Sequence, residues 1–194
     1  MSEEYSIEYV EKPEESAWGI IGQGVGSYNK QEAGENQFQR LCYALYAPDG
    51  EIVGGVLGET YWDWLYIDLL WVKEELRGCG HGHRLLTQAE DDARLRGAKN
   101  AYLDTFSFQA PDFYEQHGYK VFGELRDFPP GHQRYLFYKR TVDLAMGASN
   151  AEIQVKNGTI CRTCRHPGPS IPSGGKIINA AHFHGWSHPS LQRR

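Results

Sequence analysis

Residues 65–86, L-Y-I-D-L-L-W-V-K-E-E-L-R-G-C-G-H-G-H-R-L-L, constrain this chain more than any other stretch. They open as an apolar, β-rich run, cross a short charged connection and turn on Arg77-Gly78-Cys79-Gly80-His81-Gly82 into an amphipathic pattern. A strand that feeds a glycine-rich turn at a helix start offers unpaired N–H groups and the positive end of a helix dipole. Both suit an anion. A hexamer of this kind is equally compatible with a tight turn that binds nothing, so its flanks have to decide.

Residues 6–10 alternate well enough for a first strand. Pro13-Glu14-Glu15-Ser16 then reads as a helix start, with proline and acids in the first turn. The helix would pass Trp18, Ile20 and Ile21, but Gly19, Gly22, Gly24 and Gly26 make it a poor one. A broken helix followed by a mobile loop is the expectation there, with close backbone approach as the alternative. Residues 38–47 and 51–62 are β-like runs joined by Pro48-Asp49-Gly50, a hairpin signal, and residues 63–72 continue the meander. After the glycine turn, Leu85, Leu86, Ala89 and Ala93 recur at helical spacing, with Glu90, Asp91, Arg94 and Arg96 assigned largely to the opposite face and Gly97 as the cap. A strand over 101–106, a short helix over 110–117 ended by Gly118, and strands over 119–124 and 133–141 complete the pattern. Pro129-Pro130-Gly131 separates the last two. The order β-α-β-β-β-α-β-α-β-β predicts an α/β (α+β) domain over residues 1–141, with a mixed, mostly antiparallel sheet flanked by helices.

Three of these segments together resemble the GNAT superfamily of acetyl-CoA-dependent N-acetyltransferases. Arg77-Gly78-Cys79-Gly80-His81-Gly82 fits the superfamily's (Gln/Arg)-x-x-Gly-x-(Gly/Ala) pyrophosphate turn. Leu70-Trp71-Val72 stands where that family has the splayed strand end that pairs with the pantetheine amides. Phe113-Tyr114-Glu115-Gln116-His117-Gly118-Tyr119 is similar to its Phe-Tyr-Glu-x-x-Gly-(Phe/Tyr) segment. The likeness covers roughly residues 6–141.

The resemblance implies an acyltransferase that moves the acetyl group of acetyl-CoA directly to an amine. Such a site must take a proton from an ammonium, steady an oxyanion and return a proton to the leaving thiolate. Asp68, the ionisable residue inside an apolar strand, is the candidate proton acceptor through a water, or else a ligand of the substrate ammonium or merely the cap of a strand-end bulge. Glu59 and Asp63 stand in reserve. Tyr114 is the candidate acid. Gly78, Cys79, Gly80, His81, Gly82 and His83 are expected around the pyrophosphate with Arg77 beside it, and Arg84 near the 3′-phosphate. Trp62, Asp63 and Trp64 are read as a cation-binding wall for the acceptor, and Tyr102 and Tyr119 as core.

Charge gives the acceptor a direction. Residues 142–194 hold six Lys/Arg against two acids, a net +4, which leaves −9 of the chain's −5 on residues 1–141. An acidic body argues against nucleic acid and favours cationic partners. A small cationic amine of polyamine or aminoglycoside type is therefore the leading acceptor. A protein lysine or N-terminus, or a non-catalytic acyl-CoA-binding regulatory role, are the alternatives. No run suits a bilayer span, the acidic start is unlike a signal peptide, and four cysteines make no disulfide scaffold, so cytoplasm is expected. The resemblance admits a homodimer without requiring one. Residues 142–194, rich in Gly, Pro and Ser, are expected to be disordered. Cys161-x-x-Cys164 with His182, His184 and His188 lacks ordinary zinc-finger spacing, so no metal is expected.

Overall fold

The computed structural model describes residues 5–140, and the expectations for residues 142–194 lie outside them. The chain divides after Asn36 into two units. In the first, residues 6–10 form no strand and stand fully exposed. Alternation makes a strand only where a neighbour supplies the ladder. Helix α1, Ala17–Ala33, runs unbroken through the four glycines that predicted an interruption. Each glycine costs about 1 kcal/mol against alanine, but a 17-residue ladder propagates through them. A Cβ at Gly19, Gly22, Gly24 or Gly26 would meet nothing within 4 Å, so close backbone approach does not explain them. Gly34, at φ 77°, ends the helix.

The second unit is one sheet with two helices. Its elements are β1 Gln39–Tyr46, β2 Ile52–Tyr61, β3 Trp64–Val72, α2 His81–Leu95, β4 Asn100–Phe106, α3 Pro111–Gln116, β5 Lys120–Arg126 and β6 Gln133–Arg140. The strand order is β1-β2-β3-β4-β6-β5. Among hydrogen-bonded neighbours only β3 and β4 run parallel, joined by the helical crossover α2. The other pairs are antiparallel. Asp49 accepts the Glu51 N–H at 3.0 Å in the first hairpin. Trp62 and Asp63, at φ 42° and 63°, close the second with the left-handed turn that matches strand twist.

A bulge in β3 organises the sheet. Opposite β2, Leu57 pairs with Leu69 and Gly58 with Ile67, which leaves Asp68 as the extra residue. Alternation therefore changes phase at Asp68. Leu65 and Ile67 before it, and Leu70 and Val72 after it, all join the buried core. Gly58 is required here, since a Cβ would collide with the Tyr66 carbonyl oxygen. The β3–β4 ladder ends at Ile67↔Leu103, so from residue 68 onward the two strands part.

Helix α2 seats Leu85, Leu86, Ala89 and Ala93 in the core as its spacing predicted. Glu90 does not face outward as its charge suggested. It is 5% exposed, accepts two hydrogen bonds from Lys139 Nζ at 2.8 and 2.9 Å and one from the Tyr119 hydroxyl at 2.9 Å. Position 90 lies four residues after Leu86 and three before Ala93, on the same buried stripe of the helix. A buried lysine on β6 overrides the charge pattern there.

Two changes test this frame. Gly58→Ala should lower the unfolding free energy by about 1–3 kcal/mol through overpacking at the bulge, read by urea titration. Lys139→Met strands a buried carboxylate and should cost about 3–5 kcal/mol in the same assay. Pairing it with Glu90→Leu should recover much of that loss, and a double variant as weak as the single would refute the ion-pair account.

Candidate active site

The three sequence segments converge at Gly82. A Cβ there would lie 3.5 Å from the Phe113 ring and 3.8 Å from Leu70 Cδ2. The parted end of β3, the start of α2 and helix α3 thus meet at one glycine. His83 and His117 reinforce the junction, with Nδ1 and Nε2 sharing a hydrogen bond at 2.6 Å. His117 Nδ1 donates to the Phe113 carbonyl oxygen at 2.6 Å. That second bond fixes a proton on Nδ1, because a carbonyl can only accept.

The glycine turn has the geometry of an anion cradle. Gly78 and Gly80 take φ 73° and 79°, where a side chain is strained, and Gly80 forms the N-cap of α2. Helix geometry leaves the first-turn N–H groups at His81, Gly82 and His83 without intrahelical acceptors. The His81 Nδ1 atom is buried with no hydrogen-bond partner. Arg77 folds back, its Nε donating to the Val72 carbonyl oxygen at 3.0 Å, which ties the turn to the end of β3. Arg84 is exposed on the first turn, and Cys79 sits between the two left-handed glycines. Leu70, Trp71 and Val72 pair with β2 on one side and have no β4 partner on the other. No β4 residue covers that edge, and the Val72 carbonyl is taken by Arg77 Nε.

Tyr114 is fully buried and its hydroxyl has no hydrogen-bond partner among the described residues. Burial, with the charge of Asp104 second, pushes its phenol well above the ordinary range. The group therefore stays protonated at neutral pH. Its ring packs edge-on against Phe113 at 5.1 Å and Tyr119 at 5.9 Å. Tyr119 is core as expected, with its hydroxyl held by Glu90.

The face of the sheet that carries Tyr66 and Glu59 is polar and aromatic. Registered neighbours across the strands read Arg40, Glu59, Tyr66, Tyr102, Tyr138 and Lys120. Tyr66 and Tyr102 stack at 4.7 Å, Trp64 meets Tyr102 edge-on at 6.0 Å, and the hydroxyls of Tyr61 and Tyr102 are hydrogen-bonded. Tyr102, expected in the core, is half-buried on this face because it alternates with the core residues Ala101 and Leu103. Asp104 is buried and paired with Arg134 at 2.6 Å. Glu59 is half-buried, and desolvation, then the charge of Asp68, raises its carboxyl above the ordinary range against the opposing pull of Arg40.

The expected acceptor wall is not assembled as a unit. Trp62 and Asp63 form the β2–β3 turn, eight or more residues along β3 from the Val72 end that meets the glycine turn. The Asp63 carboxylate binds Lys99 Nζ at 2.7 Å, and its carbonyl accepts the Lys99 and Asn100 N–H groups. Asp63 therefore holds the start of β4. Trp64 joins the aromatic face through Tyr102, and Trp62 meets Tyr61 edge-on at 6.1 Å. Sequence reading missed Tyr66, although its place two residues before Asp68 on a strand was a signal.

Residues 5–119 match the Acetyltransferase (GNAT) family. The chain belongs to the GNAT acetyltransferase family. A blasticidin-S acetyltransferase from Streptomyces morookaense is 43% identical over 100 residues, covering 50% of this chain and 74% of the relative. An Agrobacterium fabrum acetyltransferase is 36% identical over 114 residues, covering 59% and 83%. The crystal structure of an acetyltransferase from Bacillus cereus, 34% identical, superposes with a TM-score of 0.63 over 71% of this chain and 97% of its own. The protein is thus an acyltransferase with the mixed, mostly antiparallel sheet of GNAT enzymes.

The elevated Glu59 carboxyl carries a stability cost. A carboxyl that holds its proton more tightly when folded contributes fully below the ordinary carboxylate range, and that contribution is lost as pH rises through the folded value. Glu59→Gln should therefore stabilise the protein at neutral pH and give no gain in acid. Urea titrations at both pH values would check it, and a loss of stability at neutral pH would sink the desolvation account.

Proposed function

We propose that the protein transfers the acetyl group of acetyl-CoA directly to a primary amine of a small cationic acceptor. The observation that carries this reading is the buried, unpartnered Tyr114 hydroxyl beside the Gly82 junction. An orphaned buried phenol is costly unless a ligand completes it. The coenzyme would supply an activated acyl thioester. Gly78 to His83 would bind its pyrophosphate through backbone N–H groups, with Arg77 beside it. The open edge of Leu70, Trp71 and Val72 would take the pantetheine amides.

Within that frame each residue has a stated task. Asp68, at the bulge where β3 leaves β4, accepts the proton of the acceptor ammonium through a water. The N–H groups that β3 turns toward the opening steady the carbonyl oxygen as charge develops. Tyr114 donates to the departing sulfur. Its raised pKa is no obstacle, because the same burial raises the basicity of a thiolate brought beside it. The aromatic face with Glu59 gives a cation its surroundings. The relative named for blasticidin-S supports a small-molecule acceptor.

Release of free thiol from acetyl-CoA against a panel of polyamines, aminoglycosides and nucleoside-type amines tests this. Tyr114→Phe should lower kcat by about 10²–10⁴-fold while acetyl-CoA binding is retained. Asp68→Asn should cause a similar loss that eases as pH rises and more acceptor is already neutral. Tight acetyl-CoA binding without release by any amine would instead indicate a protein acceptor or a regulatory acyl-CoA sensor.

A further inference from the structure

We infer that Glu59 and Tyr66 form a second, cation-binding subsite, so that the acceptor carries a positively charged hydrogen-bond donor about 7 Å from the nitrogen that is acetylated. The inference rests on the reading of Asp68 as the place where that nitrogen loses its proton. Glu59 on β2 and Tyr66 on β3 are direct register partners on one face of the sheet. Tyr66 lies two residues before Asp68 on the same side of the bulge, which sets the spacing.

Both groups lack what buried polar atoms normally have. No ion pair or hydrogen bond holds the Glu59 carboxylate among the described residues, and Arg40, exposed on the edge strand, acts on it only through space. Tyr66 is 8% exposed, and its hydroxyl is buried without a partner. The negative charges of Asp104, Asp68 and Glu59 all act on that hydroxyl, with Arg134 opposing them, so it faces the acidic cluster. Asp104 is already neutralised by Arg134. Glu59 is not.

A ligand that satisfies both groups needs at least two N–H donors and a positive charge. One N–H would bond the Glu59 carboxylate and another the lone pair of the Tyr66 oxygen. The rings of Tyr61, Trp64 and Tyr102 around the pair suit the cation's remaining surface. A neutral amide would supply the hydrogen bonds but leave the Glu59 charge uncompensated. An ammonium, amidinium or guanidinium meets all of these requirements.

A graded series of α,ω-diamines, with chain-matched monoamines, tests the subsite in two assays run together. Calorimetry reads binding to the full-length protein, and thiol release from acetyl-CoA reads transfer. The expected result is a binding preference for diamines whose nitrogens lie about 7 Å apart. Glu59→Gln and Tyr66→Phe, both near-isosteric, should each cut that preference by about tenfold to a hundredfold. Equal binding of mono- and diamines, or a preference untouched in both variants, overturns the subsite even where thiol is released. A preference that depends on both residues without thiol release upholds the subsite and overturns the transfer reading. Neither binding nor release with any amine overturns both.

Discussion

One missing methyl group sets the geometry of this sheet. The carbonyl oxygen of Tyr66 occupies the space that a side chain at position 58 would need. With glycine there, β2 can approach β3 closely enough for the ladder to skip Asp68 and resume at Leu69. The skip has two consequences. It keeps apolar residues on the core side along the whole of β3, and it presents Tyr66 and Asp68 on the other side before the phase changes. A bulge also bends its strand. The β3–β4 ladder ends one residue before the skipped position, at Ile67↔Leu103. Opening and acid therefore arise from a single irregularity.

The opening has to be held at a fixed distance from the groups that would act in it. Two helices do this, and neither is held by hydrophobic contact alone. Gly82 lets the start of α2 approach Phe113 of α3 and Leu70 of β3 together, and the His83–His117 hydrogen bond spans the same junction. Deeper in the core, Glu90 on α2 binds both Lys139 on β6 and the Tyr119 hydroxyl beyond α3. Tyr119 packs against Tyr114. The turn that would hold the coenzyme and the phenol that would protonate its sulfur are thus tied to one buried ion pair.

Much of this was legible in the sequence, and what was not has identifiable causes. Strand–turn–helix grammar located β3, the glycine turn and α2 because each is encoded locally, by apolar runs and by residues that tolerate a positive φ. The hairpin at Asp49-Gly50 and the cap at Gly97 were legible for the same reason. Glu90 was misplaced because periodicity assigns charge to the outside, and only a partner far along the chain, Lys139, makes the inside tenable. The Asp63 ion pair was not legible, because its partner, Lys99, enters through the β3–β4 crossover. A strand-end bulge at Asp68 was one reading of the sequence, but its partner was not legible, since the need for glycine at position 58 comes from the Tyr66 carbonyl oxygen on the neighbouring strand. Tyr66 was missed along with it.

The acids of the sheet show how charge is apportioned between structure and site. Asp63 has Lys99, Glu90 has Lys139, and Asp104 has Arg134, whose guanidinium also lies 5.5 and 5.6 Å from the rings of Phe106 and Phe128. These three carboxylates hold a strand start, a helix and the β4–β6 pair, and each is neutralised within the fold. Glu59 is half-buried with no cation bonded to it among the described residues, Arg40 acting only through space, and Asp68 adds to the negative potential there. Desolvating a carboxylate beside a second one is unfavourable, and a fold selected only for stability would replace it or pair it. A cationic acceptor, as proposed, would resolve that tension. The region of sheet around Glu59 would then be where a positively charged amine gains most by arriving, and from which it would leave readily once acetylation had removed one of its charges.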